Sequence, residues 1–162
     1  MTAGRVLDRA GLLAYVGEYA GHPDRWQHRV AFDTGGRHFV SLRRDLDVDV
    51  WLLCWNTVDD TGWHDHDISS GAVAVVRGVL RETTLRIAAD PLVSDFTAGT
   101  SFSFGPDHIH RMAGAVDGSV SIHAYSPPLW RMGQYTFGRG GVLRRVSVSY
   151  AEELRPLEGA AS

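Results

Sequence analysis

The chain has 162 residues, of which 44% are hydrophobic and 22% are charged, and its formal net charge is −3. This length and composition predict one globular domain over residues 1–162 with a usable core. The small negative charge and the absence of a basic block argue against nucleic acid as the main partner. The sequence contains no run of about 18 apolar residues, so no membrane span is expected.

The single cysteine, Cys54, excludes an intrachain disulfide and fits a reducing compartment. It lies in the apolar run VWLLCW and is interpreted as a buried strand residue. The N-terminal segment lacks the apolar stretch of a signal peptide, so we expect a cytoplasmic protein. We also expect a monomer.

The first segment, over about residues 5–30, is predicted to be helical. Asp8 is a candidate N-cap. Apolar residues follow at intervals close to 3.6, at Leu7, Leu12, Leu13, Val16 and Tyr19. Gly21-His22-Pro23 interrupts this pattern, and a short second helix is predicted over about 24–30.

After Phe32 the pattern changes to short runs rich in β-branched and aromatic residues, separated by Gly, Pro, Asp and Asn. The runs are HFVSL (38–42), VDVWLLCWN (48–56), GAVAVVRGVLRETTLRI (71–87), TSFSF (100–104), HRMAG (110–114), SVSIHAY (119–125) and GVLRRVSVSY (141–150). Strands at this spacing predict a mainly β protein, an antiparallel sandwich or barrel over about residues 36–150. The polar tail from about Glu152 is expected to fray.

Two histidines, His64 and His66, lie two residues apart in the stretch WHDHDISSG. Residues i and i+2 of a strand point to the same face, so both imidazoles could face the interior of a barrel and bind a metal ion. The third ligand should come from a facing strand. The candidates are His108, His110 and His123.

The spacing favours His110 as the third ligand. His64-x-His66, four residues, Gly71, six residues and Gly78 resemble the first cupin motif, with Gly71 in place of its glutamate. Gly99, five residues, Gly105-Pro106-Asp107, two residues and His110 resemble the second motif. His108 is expected to be a strand residue that faces away from the ligands. The remaining early histidines are interpreted as surface or capping residues: His22, His28 and His38.

Three neutral imidazoles would leave a bound divalent ion with its full charge, which suits an anionic ligand such as a thiolate. Histidine ligands alone do not choose between iron, zinc, copper and nickel. In the run at 119–125, Ser121, His123 and Tyr125 share one strand face, opposite an apolar face. A buried polar row needs hydrogen-bond partners, which a site with bound ligand and water would supply.

Several segments together resemble the cysteine dioxygenase family of thiol dioxygenases. They are CW at 54–55, HDH at 64–66, G-x-L-x-E at 78–82, HR at 110–111 and S-x-H-x-YSPP at 121–128. The resemblance covers about residues 50–130. It implies a jelly-roll-like cupin β-barrel with Fe(II) bound by His64, His66 and His110.

The reaction implied by the resemblance is the oxidation of a small thiol by O2 to its sulfinic acid, with both oxygen atoms entering the product. Ser121, His123 and Tyr125 would form an outer-sphere triad, in which His123 orients Tyr125 beside the reactants. Trp55 would pack close to Tyr125. The partners are therefore expected to be a small-molecule thiol and O2.

Two positions depart from the family pattern. In animal cysteine dioxygenases, a cysteine joined to the tyrosine by a thioether bond occupies the position of Gly71, whereas bacterial relatives commonly have glycine there. Family members also carry a Tyr-x-Arg segment whose arginine holds the substrate carboxylate. The closest match here is Phe39-Val40-Ser41, which lacks the arginine.

Other residues could therefore contact the substrate. Arg37 and Arg43 share a face if the strand is regular, while Arg44 points away unless the hairpin has another register. Trp55 and Trp63 are candidate aromatic walls. The altered clamp favours a thiol other than cysteine, such as 3-mercaptopropionate or the bulkier ergothioneine. The alternatives are a cupin metalloenzyme of another class, an isomerase or a dioxygenase acting on carbon, and a non-catalytic metal-binding cupin.

Overall fold

The computed structural model describes residues 3–32, 36–141 and 143–149. One α-helix, α1 (Arg9–Ala20), comes first, followed by two short 3-10 helices, Pro23–Arg25 and Gln27–Arg29. Eleven strands follow within the described residues: β1 (His38–Arg44), β2 (Asp49–Trp55), β3 (Trp63–Asp65), β4 (Ser70–Arg77), β5 (Val79–Thr84), β6 (Leu92–Thr97), β7 (Ser101–Phe104), β8 (His110–Gly114), β9 (Ser119–Ser126), β10 (Arg131–Phe137) and β11 (Leu143–Ser149). The predicted tail from about Glu152 lies outside these residues.

The strands form two antiparallel sheets. One has five strands in the order β1-β2-β9-β4-β7, and the other has six in the order β11-β10-β3-β8-β5-β6. The prediction of a mainly β protein with an N-terminal helical segment is confirmed. None of the helices in the described ranges is long and apolar enough to cross a membrane.

Two apolar clusters lie on opposite faces of the five-stranded sheet. On the outer face, α1 packs through Leu12 and Val16 against one cluster, which includes Leu52 and Ile122. On the inner face, alternate residues of the same strands form the second cluster between the sheets, which includes Trp55. The period of two along each strand therefore divides the sheet into a helix-covered face and an inner face that carries the polar residues described below.

The predicted N-cap of α1 is confirmed, because the Asp8 carboxylate accepts a hydrogen bond from the Gly11 amide at 2.7 Å. The predicted second helix over 24–30 is wrong. Trp26 leaves the helical conformation with φ −139° and separates the two 3-10 turns. Its indole is buried and donates to the Ala20 carbonyl at 3.2 Å, so tertiary burial overrides local helix formation.

The strand prediction missed three strands and joined two others. The long run over 71–87 forms both β4 and β5, which meet at Gly78 with φ +68°. A Cβ atom at Gly78 would also collide with Ser119, so both the turn and the packing require glycine. The strands β3, β6 and β10 are short, partly exposed or interrupted by glycine and polar residues, and they lack an apolar run.

Candidate metal centre

Three histidines meet between the two sheets. His64 lies in β3, His66 directly follows it, and His110 begins β8 as the cross-strand partner of His64. All three are at most 2% exposed. Their ring centres are 4.6 to 5.1 Å apart. Each offers one nitrogen to a group whose atoms all lie within 4.8 Å of one another.

The protonation of these rings suits metal binding. Burial, followed by the charges of neighbouring histidines, lowers the pKa of His64 and His66 well below the usual histidine value. Burial also lowers the pKa of His110, although Glu82 opposes the effect. All three imidazoles are therefore neutral at neutral pH and can act as ligands.

Unpaired nitrogen atoms mark the centre of this cluster. Both ring nitrogens of His66, and Nε2 of His110, are buried without a hydrogen-bond partner among the described residues. His64 Nδ1 donates to the Gly62 carbonyl at 3.1 Å, which leaves its Nε2 as the lone-pair nitrogen. Buried unpaired polar atoms are costly, and a coordinated cation would remove that cost. The residues therefore fit a metal ion.

Glu82, which had no predicted role, supports the third histidine, His110, through a hydrogen bond. Glu82 Oε2 accepts a hydrogen bond from His110 Nδ1 at 2.7 Å. Burial raises the pKa of Glu82, but its hydrogen bonds with His108 and His110 outweigh that effect and lower its pKa to about 2. Its place could have been predicted from the sequence, because Glu82 lies two residues after the apolar Leu80 in the motif at 78–82 and therefore shares its inward strand face.

The expected placement of His108 in a strand is wrong. His108 lies in the loop before β8, not in a strand. Its Nε2 is 3.2 Å from Glu82 Oε2, and its ring stacks on Phe104 with 5.1 Å between ring centres. An irregular loop does not follow the alternation of a strand, so His108 contacts Glu82 beside His110 but is not one of the group His64, His66 and His110.

Phe104 occupies the space beside Gly71. A Cβ atom at Gly71 would lie 2.5 Å from Phe104 Cε2 and closer still to its Cζ. The same phenyl ring stacks on His66, with 4.8 Å between ring centres. Gly71 is also the cross-strand partner of Tyr125. An aromatic wall thus fills the place where a side chain at position 71 would approach the histidines.

The polar row on β9 is connected by hydrogen bonds. Ser121 Oγ and His123 Nε2 are 2.7 Å apart, and His123 Nδ1 and the Tyr125 hydroxyl are 3.2 Å apart. Burial, followed by the charges of His110 and Arg37, lowers the pKa of His123 to about 3, so its imidazole is neutral. The Tyr125 ring centre lies 5.0 Å from that of His66, which places the row beside the histidine cluster.

Trp55 packs against the Ser121 end of this row, whereas the prediction placed it beside Tyr125. Its Nε1 donates to Ser121 Oγ at 2.8 Å, and its ring stacks on His123. Trp55 pairs with Ser119 across the strands, whereas Tyr125 pairs with Asp49 at the far end of β2. The expected packing of Trp55 against Tyr125 is therefore corrected to packing against Ser121 and His123.

The three candidate arginines take different directions because β1 contains a bulge between Ser41 and Arg43. The bulge brings Arg43 opposite Val50, on the outer face, where it bonds Asp45 and the Tyr15 hydroxyl. The structure therefore does not bring Arg43 to the histidine cluster. A bulge reverses the alternation of all residues that follow it.

Arg44 is consequently on the inner face, but it is bound to Asp49 and to the Leu129 carbonyl. Arg37 is the candidate that reaches the site. Its guanidinium carbon lies 4.9 Å from the centre of the Trp55 ring. Its positive charge also contributes to the lowered pKa values of His64 and His123.

Trp63 does not line the histidine cluster. It alternates with His64 and packs edge-to-face against Phe137, so it lies on the outer face of the six-stranded sheet. The structure therefore does not bring this predicted substrate residue to the cluster. A further inner-face residue that the sequence did not reveal is Gln134, which pairs with His64 and whose buried Oε1 has no hydrogen-bond partner among the described residues.

The early histidines lie apart from this cluster. His22 and His28 are exposed, and His38 donates to the Arg29 carbonyl at 3.0 Å. The candidate centre is built from residues of strands β3, β5, β7, β8, β9 and β10 and of the loops before β4 and β8.

This arrangement, two antiparallel sheets around a buried histidine cluster, defines a cupin with a candidate metal centre. The family model of cysteine dioxygenase type I matches residues 3–137, so the chain belongs to that family. The resemblance seen in the sequence is thereby confirmed. Family membership and the histidine cluster together support a metal cofactor.

Solved structures of low sequence identity share the fold. A double-stranded β-helix protein from Klebsiella pneumoniae has a TM-score of 0.54 at 12% identity, covering 74% of this chain and 92% of that chain. An RmlC-like cupin from Desulfovibrio desulfuricans has a TM-score of 0.52 at 15% identity, covering 61% and 90%. KdgF from a Halomonas species has a TM-score of 0.53 at 15% identity, covering 62% and 88%. A comparison with curated proteins gave no significant match.

Proposed function

We propose that this protein is an iron(II)-dependent thiol dioxygenase that converts a small thiol and O2 into a sulfinic acid. The observation that carries the proposal is the hydrogen-bonded row Ser121–His123–Tyr125 beside three buried neutral histidines. The overall reaction is balanced without another reductant, because the thiol sulfur supplies the four electrons that reduce both atoms of O2. A bound iron(II) ion would supply the redox chemistry.

His64, His66 and His110 would hold the ion, and their neutrality favours it over protons. With no carboxylate among these three ligands, the centre keeps a positive charge that favours a thiolate over a thiol. A position for a fourth protein ligand is closed at Gly71 by Phe104. The three histidines would therefore hold the ion without a carboxylate ligand, and the ion would supply the redox chemistry for the thiol and O2.

Among the described residues, the Tyr125 side chain lies beside the histidine cluster, where its hydroxyl can hydrogen-bond to the reactants. His123 holds the phenol through its Nδ1, and Ser121 holds His123 through its Nε2. Trp55 in turn donates to Ser121. This chain of bonds fixes the direction of the Tyr125 hydroxyl before the substrate arrives, which is the preorganisation that makes a hydrogen-bond donor effective in catalysis.

Arg37 indicates the kind of thiol. The Arg37 guanidinium places a positive charge over the Trp55 ring, near His64 and His123. We therefore infer a small thiol that carries an anionic group, bound through Arg37 instead of through the family arginine that Ser41 replaces. The cytoplasmic location, the monomeric state and the absence of a nucleic-acid partner remain predictions.

The direct test incubates iron-loaded protein with a thiol panel and follows O2 uptake and sulfinate by mass spectrometry. The panel contains cysteine, 3-mercaptopropionate, cysteamine and ergothioneine, so it separates anionic thiols from the others. Sulfinate in a one-to-one ratio with consumed O2 is the expected result. Retained metal without sulfinate from any thiol would contradict the proposal and favour a cupin of another class.

The matched variant for this test is Tyr125→Phe. It keeps the ring beside His66 but removes the hydroxyl, so we expect full metal retention and turnover lower by about 100-fold. Unchanged sulfinate formation by this variant would show that the β9 row has no part in the reaction.

A further inference from the structure

The carboxylate of Glu82 lies behind the third histidine, on the side away from His64 and His66. Its Oε2 receives the His110 Nδ1–H at 2.7 Å and lies 3.2 Å from His108 Nε2. Its Oε1 receives the Thr84 hydroxyl at 3.3 Å. An ionised carboxylate can only accept hydrogen bonds, so the His110 ring must carry its proton on Nδ1.

This direction decides which nitrogen of His110 can bind a metal. A neutral imidazole has one N–H and one lone pair, so a proton on Nδ1 places the lone pair on Nε2. His110 Nε2 is the buried nitrogen without a hydrogen-bond partner among the described residues. Glu82 therefore selects the tautomer in which His110 Nε2 carries the lone pair and is available to a metal ion.

His108 holds the carboxylate in turn. Its ring is nearly parallel to that of Phe104, with 17° between the planes, so its rotation is restricted. Phe104 also contacts His110, with 4.7 Å between ring centres. The same phenyl ring thus packs against both histidines that contact Glu82.

We propose that Glu82 and His108 are positioning residues for the metal centre. Glu82 fixes the tautomer and ring orientation of His110, and His108 fixes the orientation of Glu82. The inference rests on the three-histidine metal site of the proposed function, but on neither its thiol nor its reaction.

Glu82, His108 and His110 are also close enough to bind a cation themselves, since their ligand atoms lie within 4.8 Å of one another. The hydrogen bonds argue for positioning instead. A cation there would have to displace the proton between His110 and Glu82. The unpaired nitrogen of His110 belongs to the other cluster, with His64 and His66.

The first experiment measures the tautomer of His110 in the metal-free protein by long-range proton–nitrogen NMR. We expect the Nδ1–H form in the wild type and in Glu82→Gln, because the amide oxygen still accepts a hydrogen bond. In Glu82→Leu, the Nε2–H form should become populated. A wild-type Nε2–H tautomer, or an unchanged tautomer in Glu82→Leu, would overturn the proposal.

The second experiment measures the Kd for Co2+ by chelator competition, together with the visible absorption of the cobalt protein, without thiol or O2. Glu82→Leu should bind about 10- to 100-fold more weakly with an altered spectrum, and Glu82→Gln should restore most of the affinity. His108→Phe keeps an aromatic ring against Phe104 but cannot donate, so a smaller loss is expected.

Arg111→Gln is the matched control, because Arg111 follows His110 in β8 but bonds Asp60 at an exposed position. Its cobalt Kd should equal that of the wild type. Equal losses of cobalt affinity in Arg111→Gln and Glu82→Leu would refute the positioning role. Binding of a second cobalt equivalent by the wild type, lost in His108→Phe, would refute it as well. A wild type that binds no cobalt contradicts the metal site of the proposed function, whereas the tautomer measurement still decides the role of Glu82.

Discussion

The glycine at position 71 should tolerate no side chain, and this can be measured as a loss of stability. In Gly71→Ala, the new Cβ would lie 2.5 Å from Phe104 Cε2 and 3.1 Å from Tyr125 Cδ1. Ordinary contacts begin at 3.4 Å, so about 1 Å must be recovered at Phe104 alone, whose Cζ is nearer still. The phenyl ring cannot rotate easily, because it packs against His66 and His108.

The magnitude follows from the cost of inserting a methyl group into a packed core. Such overpacking typically destabilises a protein by about 1–3 kcal/mol. For a chain of this size, each 1 kcal/mol lowers Tm by about 2–4 °C, so we expect a decrease of about 2–12 °C. The measurement is urea and thermal unfolding of the metal-free protein, since a bound metal would add its own stabilisation.

Two controls separate this clash from a general effect of alanine. Gly17 is an exposed residue of α1 with open space around its Cβ position, so Gly17→Ala should stabilise the protein by up to about 1 kcal/mol. Phe104→Leu shortens the opposing side chain. The cost of Gly71→Ala should therefore fall below about 0.5 kcal/mol in that background. Such a difference between the two backgrounds is larger than the deviation from additivity that independent sites show. An equal cost in both backgrounds would refute the reasoning.

Three further predictions concern the ligands, the substrate and pH. His110→Ala should lose the metal under conditions in which the wild type retains one equivalent, as measured by elemental analysis; stoichiometric metal in the variant would exclude His110 as a ligand. Arg37→Leu should raise KM for anionic thiols by about 10- to 100-fold through loss of a charged hydrogen bond, while Arg43→Leu on the outer face should not change it. Burial raises the pKa of Asp65, but hydrogen bonds from Arg145 and its neighbours outweigh this and lower it to about 2. Because the folded-state pKa lies below the unfolded value of 3.8, Asp65 contributes about 2 kcal/mol above pH 4 that is lost as the pH falls towards 2. Urea unfolding of Asp65→Asn should lack that part of the acid dependence.

Local sequence patterns determined the fold class and part of the site. Alternating apolar residues on β2 and β9 required two different faces, and Asp8 marked the start of α1. The spacing of two residues within a strand put Ser121, His123 and Tyr125 in one row. These inferences depend on periodicities of the backbone, which are present in the sequence itself.

Features that depend on departures from regular structure could not be predicted in this way. The bulge in β1 turned Arg43 outward and brought Arg44 to the inner face, and a bulge leaves no reliable mark in an apolar pattern. His108 lies in an irregular loop, so its place beside Glu82 was hidden from any argument based on alternation.

The sequence alone determined that two histidines share a face and that a third follows at cupin spacing, because strand geometry and motif length are local properties. Only the tertiary structure decided which carboxylate, aromatic ring and arginine surround them. Glu82, Phe104 and Arg37 reach the histidines from three other parts of the chain, through the pairing of β5 with β8, the pairing of β4 with β7 and the packing of one sheet on the other. Contacts between distant segments depend on how the sheets pair and pack, and no local pattern of residues specifies that arrangement.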